Sequence, residues 1–131
     1  MRIVVDTDAL IWLAKRRKLE RFVEVYDACV TAITEYEYVR GEVRAGISPE
    51  ESKRFFEDTF EVLPLDNRSI ATAAMIWAEL SSRGEPLEER DLLTGAICVS
   101  RAEPLWTLNK KHFKRLEEFG LRLIDVDTKN L

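Results

Sequence analysis

The chain has 131 residues, of which 46% are hydrophobic and 34% charged, with only 5 Gly and 4 Pro. This composition indicates a single ordered domain over residues 1–131 and excludes a fibrous or low-complexity chain. Because the net charge is −4, any nucleic-acid partner would have to be held by a local basic patch.

Composition also argues against a membrane-spanning, secreted or zinc-binding protein. No apolar run approaches the ~18 residues of a membrane span, and the first residues lack a signal-peptide pattern, so we expect a cytoplasmic protein. Two cysteines and one histidine are too few for a zinc site. Cys29 and Cys98 lie in apolar surroundings and are predicted to be buried thiols.

Predicted strands and helices alternate along the chain. The predicted strands cover residues 2–5, 28–34, 60–65, 104–107 and 121–126. The predicted helices cover residues 9–14, 19–26, 35–44, 49–59, 67–83, 91–101 and 110–119, and residues 127–131 are predicted to be a loose tail. This alternation is typical of an α/β fold with a parallel sheet of about five strands and helices on both faces.

Two further features refine the middle of the chain. Pro64 cannot donate a hydrogen bond and places the third strand at an edge of the sheet. In the helix 67–83, apolar residues recur at helical spacing and are predicted to face the core. They are Ile70, Ala73, Ala74, Trp77 and Leu80.

The first strand ends at an acidic residue, Asp6, which is followed by Thr7 and Asp8. Ligand and catalytic sites of open α/β sheets lie where a buried strand gives way to a helix. Thr7 or Asp8 can cap the next helix, but one cap does not account for three consecutive polar residues. We therefore expect Asp6 to be the centre of a metal site.

Two more acids occupy comparable places and have both a structural and a functional interpretation. Thr34 and Glu37 match a capping box, yet Glu37 also falls at the edge of the sheet where Asp6 lies. Asp91 can cap the apolar helix that follows it, but that helix must be buried and would draw Asp91 into the interior. Asn109 follows the fourth strand in the same way.

Electrostatics limit what such a cluster can be. Two carboxylates ~5 Å apart repel by roughly 3 kcal/mol at an effective dielectric constant near 20, so three cannot stay ionised together without a cation or a proton. Carboxylate and amide oxygens are the preferred ligands of Mg²⁺ and Mn²⁺. Such an ion polarises a phosphoryl oxygen and activates a water for attack on phosphorus.

Basic residues adjoin the acidic segments. Lys110 and Lys111 follow Asn109 directly, and Arg40 and Arg44 lie on the helix that carries Glu37. A third cluster, residues 15–18, follows the first helix. Each alone is typical of a solvated surface, but together they favour a polyanionic substrate, with Arg40, Arg44, Lys110 and Lys111 as candidate RNA-binding residues.

The ordered motifs VVDTDALI, TEYEYVRG, Asp91 with its small-residue helix, and Thr-x-Asn before Phe resemble the PIN-domain nucleases, and most of all the VapC toxins. The residues that carry the resemblance are Asp6, Asp8, Thr34, Glu37, Gly41, Asp91, Thr107, Asn109 and Phe113. It extends over the chain from end to end. One departure is His112, which stands where members of the family often have Asp before that Phe. A contact with phosphate is open to it, but we interpret this lone histidine as a surface residue.

The resemblance implies a PIN-like three-layer sandwich and a Mg²⁺- or Mn²⁺-dependent endoribonuclease. It further implies a homodimer that a VapB-type antitoxin holds inactive. Asp6, Glu37 and Asp91 would be the acidic catalytic and metal-binding residues, with Asn109 as the fourth. Thr107 would help to orient the site, and Asp8 would support it.

Three other functions remain open on sequence grounds. VVDTDAL also resembles the nucleophile motif of haloacid-dehalogenase-like phosphatases, with Asp6 as nucleophile, although no adjacent Asp pair follows. A phosphoacceptor receiver would use Asp66 but needs a lysine after the last strand, where LIDVD offers acids instead. The third alternative is a catalytically silent RNA-binding PIN module.

Overall fold

A computed structural model describes residues 2–131 of the chain. Its strands are β1 (Arg2–Val5), β2 (Asp27–Thr31), β3 (Glu61–Leu63) and β4 (Leu105–Trp106). Its α-helices are α1 (Thr7–Lys15), α2 (Leu19–Val25), α3 (Ala32–Arg44), α4 (Pro49–Thr59), α5 (Asn67–Ser82), α6 (Glu89–Arg101) and α7 (Lys110–Phe113). Two 3₁₀ helices follow, Lys114–Phe119 and Thr128–Asn130. No helix within residues 2–131 is long and apolar enough to cross a membrane.

The strands form one parallel sheet in the order β3-β2-β1-β4. β3 lies at an edge, as Pro64 predicts. The expected fifth strand is reduced to a single parallel bridge between Leu105 and Leu123. Because β4 is only two residues long, it offers residues 121–126 too little backbone for a full ladder.

Two apolar cores lie on opposite faces of this sheet. Along β1, Ile3 and Val5 belong to the core with α1, α2 and α4, whereas Val4 belongs to the core with α5 and α6. Successive side chains of a strand point to opposite faces, so a strand buried on both faces is apolar throughout. The predicted three-layer arrangement is confirmed. Cys29 and Cys98 are both buried, as predicted.

The core-facing side of α5 differs from the prediction. Ile70 and Trp77 are 52% and 57% exposed, and the buried residues are Ser69, Ala73, Ile76 and Leu80. Ser69 is buried despite its hydroxyl because it forms a reciprocal capping box with Asp66. The helix is therefore rotated relative to the apolar pattern, and Ile70, Ala74 and Trp77 were wrongly placed in the core.

The C-terminal residues are ordered by local and core contacts, where a loose tail was expected. Asp127 caps the 3₁₀ helix Thr128–Asn130 by accepting a hydrogen bond from the backbone of Lys129. Lys18 Nζ donates to the carbonyl of Thr128 at 2.9 Å, and Leu131 packs against the core beside α1 and α2. These contacts hold the end of the chain against the body of the domain.

Candidate active site

Asp6 lies at the junction between β1 and α1. It is the N-cap of α1, and its side chain accepts a hydrogen bond of 2.9 Å from the backbone of Thr7. Its other carboxylate oxygen accepts a bond of 2.9 Å from the hydroxyl of Thr107, which follows β4. Because β1 and β4 are parallel neighbours, their carboxyl ends place these two residues together. Asp6 is only 6% exposed.

Glu37 reaches the same region from α3, but not through the predicted cap. The helix begins at Ala32, and Thr31 caps it by accepting a bond from the backbone of Thr34. The predicted capping box of Thr34 with Glu37 is therefore wrong. The Glu37 carboxylate instead accepts a bond of 2.7 Å from the hydroxyl of Thr7.

Asp91 lies in the first turn of α6 and does not cap it. The helix begins at Glu89, and Glu88 occupies the N-cap position without a side-chain cap bond. Asp91 is 9% exposed, which agrees with the expectation that the buried helix draws it inward. Its carboxylate lies 3.4 Å from Nδ1 of His112.

Asn109 is attached to the acidic region by two contacts. Its side-chain amide donates to the carboxylate of Asp8. Its backbone amide donates to the hydroxyl of Thr107 at 2.9 Å. Thr107 thus links Asn109 with Asp6, and Asp8 holds the amide of Asn109 beside the start of α1.

One small cavity joins the acids of three elements. It is lined by Asp6, Thr7, Asp8, Glu37, Arg90, Asp91 and Thr94. Its volume of about 10 Å³ is room for about one water-sized occupant. The structure therefore brings together the acids that the sequence singles out, although they are far apart along the chain.

Two acids of this cavity, Asp6 and Asp91, are destabilised in their charged forms. Burial raises the pKa of Asp6 to about 6, and the charges of Asp8 and Asp91 add to this rise. The hydrogen bonds from Thr107 and Thr7 oppose it. Burial also raises the pKa of Asp91, although the neighbouring charges of Arg90 and His112 act in the opposite direction. A bound cation would stabilise the charged forms of both carboxylates.

A family model described as "PIN domain" matches residues 3–118. The chain belongs to the PIN-domain family. The predicted resemblance to this family is thereby confirmed.

Individual PIN relatives match over nearly the whole chain. Ribonuclease VapC1 of Methanocaldococcus jannaschii is 36% identical over 124 residues, covering 95% of this chain and 88% of the relative. The structure of VapBC-1 from nontypeable Haemophilus influenzae contains a chain with a TM-score of 0.76 and 25% identity, covering 95% of this chain and 98% of that one. In the DNA-bound VapBC of Salmonella typhimurium, the TM-score is 0.74 at the same identity and coverage.

The oxygens of this PIN site suit a hard divalent cation. Asp6, Glu37 and Asp91 line the acidic cavity with carboxylate oxygens, which are typical ligands of Mg²⁺ and Mn²⁺. The amide of Asn109 lies outside that cavity and is held beside it by Asp8. Within residues 2–131, however, no three Asp, Glu, His or Cys side chains are grouped so as to hold an ion. The Glu37 carboxylate accepts hydrogen bonds from Thr7 and Arg90, so an ion held by Glu37 would have to share or displace these contacts.

Sequence reasoning missed Arg90 and misjudged His112. Arg90 Nη1 donates to the Glu37 carboxylate at 3.3 Å, and the two residues are 53 positions apart. The only signal in the sequence was its position directly before Asp91. His112 was interpreted as a surface residue, and it is half exposed, yet it contacts Asp91.

The candidate RNA-binding residues lie at two places. Lys110 and Lys111 begin α7 beside Asn109, and Lys110 forms an ion pair with Asp125. Arg40 and Arg44 are exposed on α3, where the Arg40 guanidinium lies 5.3 Å from the ring centre of Tyr36. The acidic cavity is not lined by either arginine. The lysines are therefore the better placed pair for contact with a substrate at the acids.

Proposed function

We propose that this PIN protein is a Mg²⁺- or Mn²⁺-dependent endoribonuclease and the toxin of a toxin–antitoxin pair. The observation that carries the proposal is the cavity in which Asp6, Glu37 and Asp91 meet from three elements of the fold. The proposal is supported by the relative from M. jannaschii, which is named a ribonuclease.

In this proposal Asp6, Glu37, Asp91 and Asn109 hold the ion and are the catalytic residues. The chemistry that the ion supplies when bound is polarisation of a phosphoryl oxygen and activation of a water for attack on phosphorus. Thr107 fixes the rotamer of Asp6 through its hydroxyl, and Asp8 holds the amide of Asn109. Such outer contacts keep ligands oriented before the ion arrives.

The substrate is single-stranded RNA held next to the acids by local positive charge. Lys110 and Lys111 supply this charge beside Asn109, in a chain whose net charge is −4. Arg40 and Arg44 would extend the basic path along α3. Contacts of this kind are made to phosphates and set position on the strand, not sequence preference.

The proposed partners are a VapB-type antitoxin and a second copy of the chain, and the proposed location is the cytoplasm. The antitoxin is supported by structures that match this chain at 25% identity and are described as VapBC assemblies. A toxin that cleaves RNA needs such an inhibitor in the cell that makes it. The homodimer follows from the same family resemblance.

The test is cleavage of a labelled RNA by the purified protein with Mn²⁺, with Mg²⁺ and with EDTA. We expect cleavage with either metal and none in EDTA. Asp91→Asn should lower the rate at least about 100-fold because it removes an ion ligand. Asp58→Asn, at an exposed position on α4, is the matched control and should cleave normally. If Asp91→Asn keeps most of the activity, the assignment of the site is refuted. If the wild-type protein binds RNA without cleaving it, the result indicates a catalytically silent RNA-binding module.

A further inference from the structure

A second and much larger cavity adjoins the acidic one. Its volume is about 660 Å³, which is within the range of ~300–1,000 Å³ typical of small-ligand sites. Its walls include Trp12 from α1, Trp106 from β4, and the segment Asn109–Lys111. Neither the fold nor the proposed ion requires a cavity of this size.

Hydrogen bonds connect the walls of the two cavities. Thr107 lines the large cavity, and its hydroxyl donates to Asp6 of the acidic cavity at 2.9 Å. Asn109 also lines it, and its amide donates to Asp8. An occupant of the large cavity therefore lies one hydrogen bond away from the candidate ion ligands.

The walls combine flat aromatic surface with positive charge. Trp106 is buried and stacks on Phe22 with ring centres 5.4 Å apart, so it is a fixed wall. Trp12 is half-buried, and the Arg16 guanidinium and Lys18 ammonium lie 4.7 and 5.6 Å from its ring centre. Lys111 adds an exposed cation to the wall, whereas Lys110 is paired with Asp125, which also lines the cavity.

We propose that this cavity binds a nucleobase of single-stranded RNA, from a nucleotide adjacent to the phosphodiester that is cut. The inference rests on the proposed function and deepens it. A base has a flat apolar face for the indole of Trp12, and the phosphates on either side of it are anions for Lys111 in the cavity wall. Arg16 and Lys18, which lie beside Trp12 outside the cavity wall, add positive charge nearby. An acidic peptide fits less well, because its carboxylates would meet the cations but leave the indole uncovered.

Stacking on an aromatic side chain accepts every base, because each base has a π-face. The cavity would therefore fix where a strand lies relative to the acids and would select bases only weakly. This role differs from that of phosphate contacts, which hold the strand but let it slide. Trp12 is accordingly a positioning residue, since it touches the neighbouring nucleotide and not the reacting phosphate.

The test measures binding of a labelled eight-nucleotide RNA in EDTA, so that no cleavage occurs. Trp12→Leu should weaken binding about five- to tenfold or more, and Trp12→Phe should stay within about twofold of wild type. Trp77→Leu is the matched control, because Trp77 is exposed on α5 and lies outside this cavity. It should bind like wild type.

An abasic scan of the same RNA identifies the contact itself. Removal of one base next to the cleaved bond should weaken binding to wild type by a similar factor. Removal of the same base should have little further effect on binding by Trp12→Leu, because this variant lacks the indole on which the base stacks. If Trp12→Leu does not fold, the scan on wild type and quenching of tryptophan fluorescence by adenosine monophosphate, compared with Trp12→Phe, replace it.

Several results would overturn the inference. One is a folded Trp12→Leu protein that binds the RNA like wild type, and another is an abasic scan without any sensitive position. Equal competition by polyglutamate would identify a general anion site instead. If the protein cleaves RNA but the effects of Trp12→Leu and of base removal on binding are independent, this inference fails and the proposed nuclease function stands. If the two effects on binding are coupled but the protein does not cleave RNA in Mn²⁺, the proposed nuclease function fails and the base-binding site stands.

Discussion

The position of Asp6 at the end of β1 has two effects. Hydrogen bonds orient its carboxylate, and the surrounding structure buries it. Thr107 and Thr7 donate to its two oxygens, which favours the charged form, but burial outweighs them and raises its pKa to about 6. Perturbation of this kind is common where a carboxylate is to bind a cation. The folded protein without metal is less stable with Asp6 ionised than with Asp6 protonated.

We predict that Asp6→Asn stabilises the metal-free protein at neutral pH. The folded-state pKa of about 6 lies above the ordinary value of 3.8, so ionisation of Asp6 destabilises the fold progressively as the pH rises from about 4 to about 6. Above that range Asp6→Asn should gain up to about 3 kcal/mol in the free energy of unfolding, and below pH 4 the gain should vanish. Urea unfolding in EDTA at several pH values measures this, with Asp58→Asn as the control. A constant difference across pH would contradict the prediction.

Three helices next to the site begin earlier than predicted: α1 at Thr7 with Asp6 as its cap, α3 at Ala32 and α6 at Glu89. Thr31 and Thr34 can each serve as a cap, and the local pattern favours Thr34 because Glu37 completes a capping box. The structure uses Thr31, because β2 ends there and the chain turns into α3 at once. Glu37 then lies in the second turn, where its carboxylate is free to meet Thr7 and Arg90.

Sequence alone could predict that Asp6, Glu37 and Asp91 lie close together, because each follows a strand or begins a helix at the carboxyl edge of a parallel sheet. It could not predict the contact between Arg90 and Glu37, since this depends on how α3 and α6 pack. The sequence also could not predict that α5 is rotated relative to its apolar pattern. Ser69 has no apolar character, and only the cap with Asp66 makes its burial favourable.

Two helical glycines give opposite predictions for substitution by alanine. A Cβ on Gly95 of α6 would lie 2.2 Å from Cδ1 of the fully buried Leu116, so Gly95→Ala should destabilise the protein by about 1–3 kcal/mol. A Cβ on Gly41 of α3 would meet nothing within 4 Å, so Gly41→Ala should stabilise it by about 0.5–1 kcal/mol. Thermal or urea unfolding measures both. Equal effects of the two substitutions would show that α6 does not pack as closely as described.

In the molecule as a whole, the burial of carboxylates in one cavity links ion binding to stability. We predict that Mn²⁺ or Mg²⁺ raises the Tm, because the acids meet only in the folded chain. At ten times the Kd the gain is about 1.4 kcal/mol, or about 5 °C for a domain of this size. Asp91→Asn should show a smaller rise, and NaCl at the same ionic strength is the control. No shift with millimolar metal would argue against an ion site here.

The last prediction concerns how the salt dependence of RNA binding changes with the position of the positive charges on the molecule. Lys110→Glu/Lys111→Glu should weaken RNA binding and reduce the slope of log K against log salt by about 1.4, because two phosphate contacts to a single strand are lost. Lys53→Glu/Arg54→Glu on α4 changes the net charge by the same amount at an exposed site away from both cavities. It should lower affinity only slightly and leave the slope unchanged.

Binding titrations over a range of salt concentrations separate local contact from overall charge. If both double variants lose affinity equally, the field of the whole protein governs binding, and the lysines beside Asn109 have no special role. If Arg40→Glu/Arg44→Glu alone flattens the salt dependence, the RNA follows α3. A reduced slope confined to Lys110→Glu/Lys111→Glu places the strand at the wall of the large cavity, where an acidic protein can hold a polyanion only through local cations.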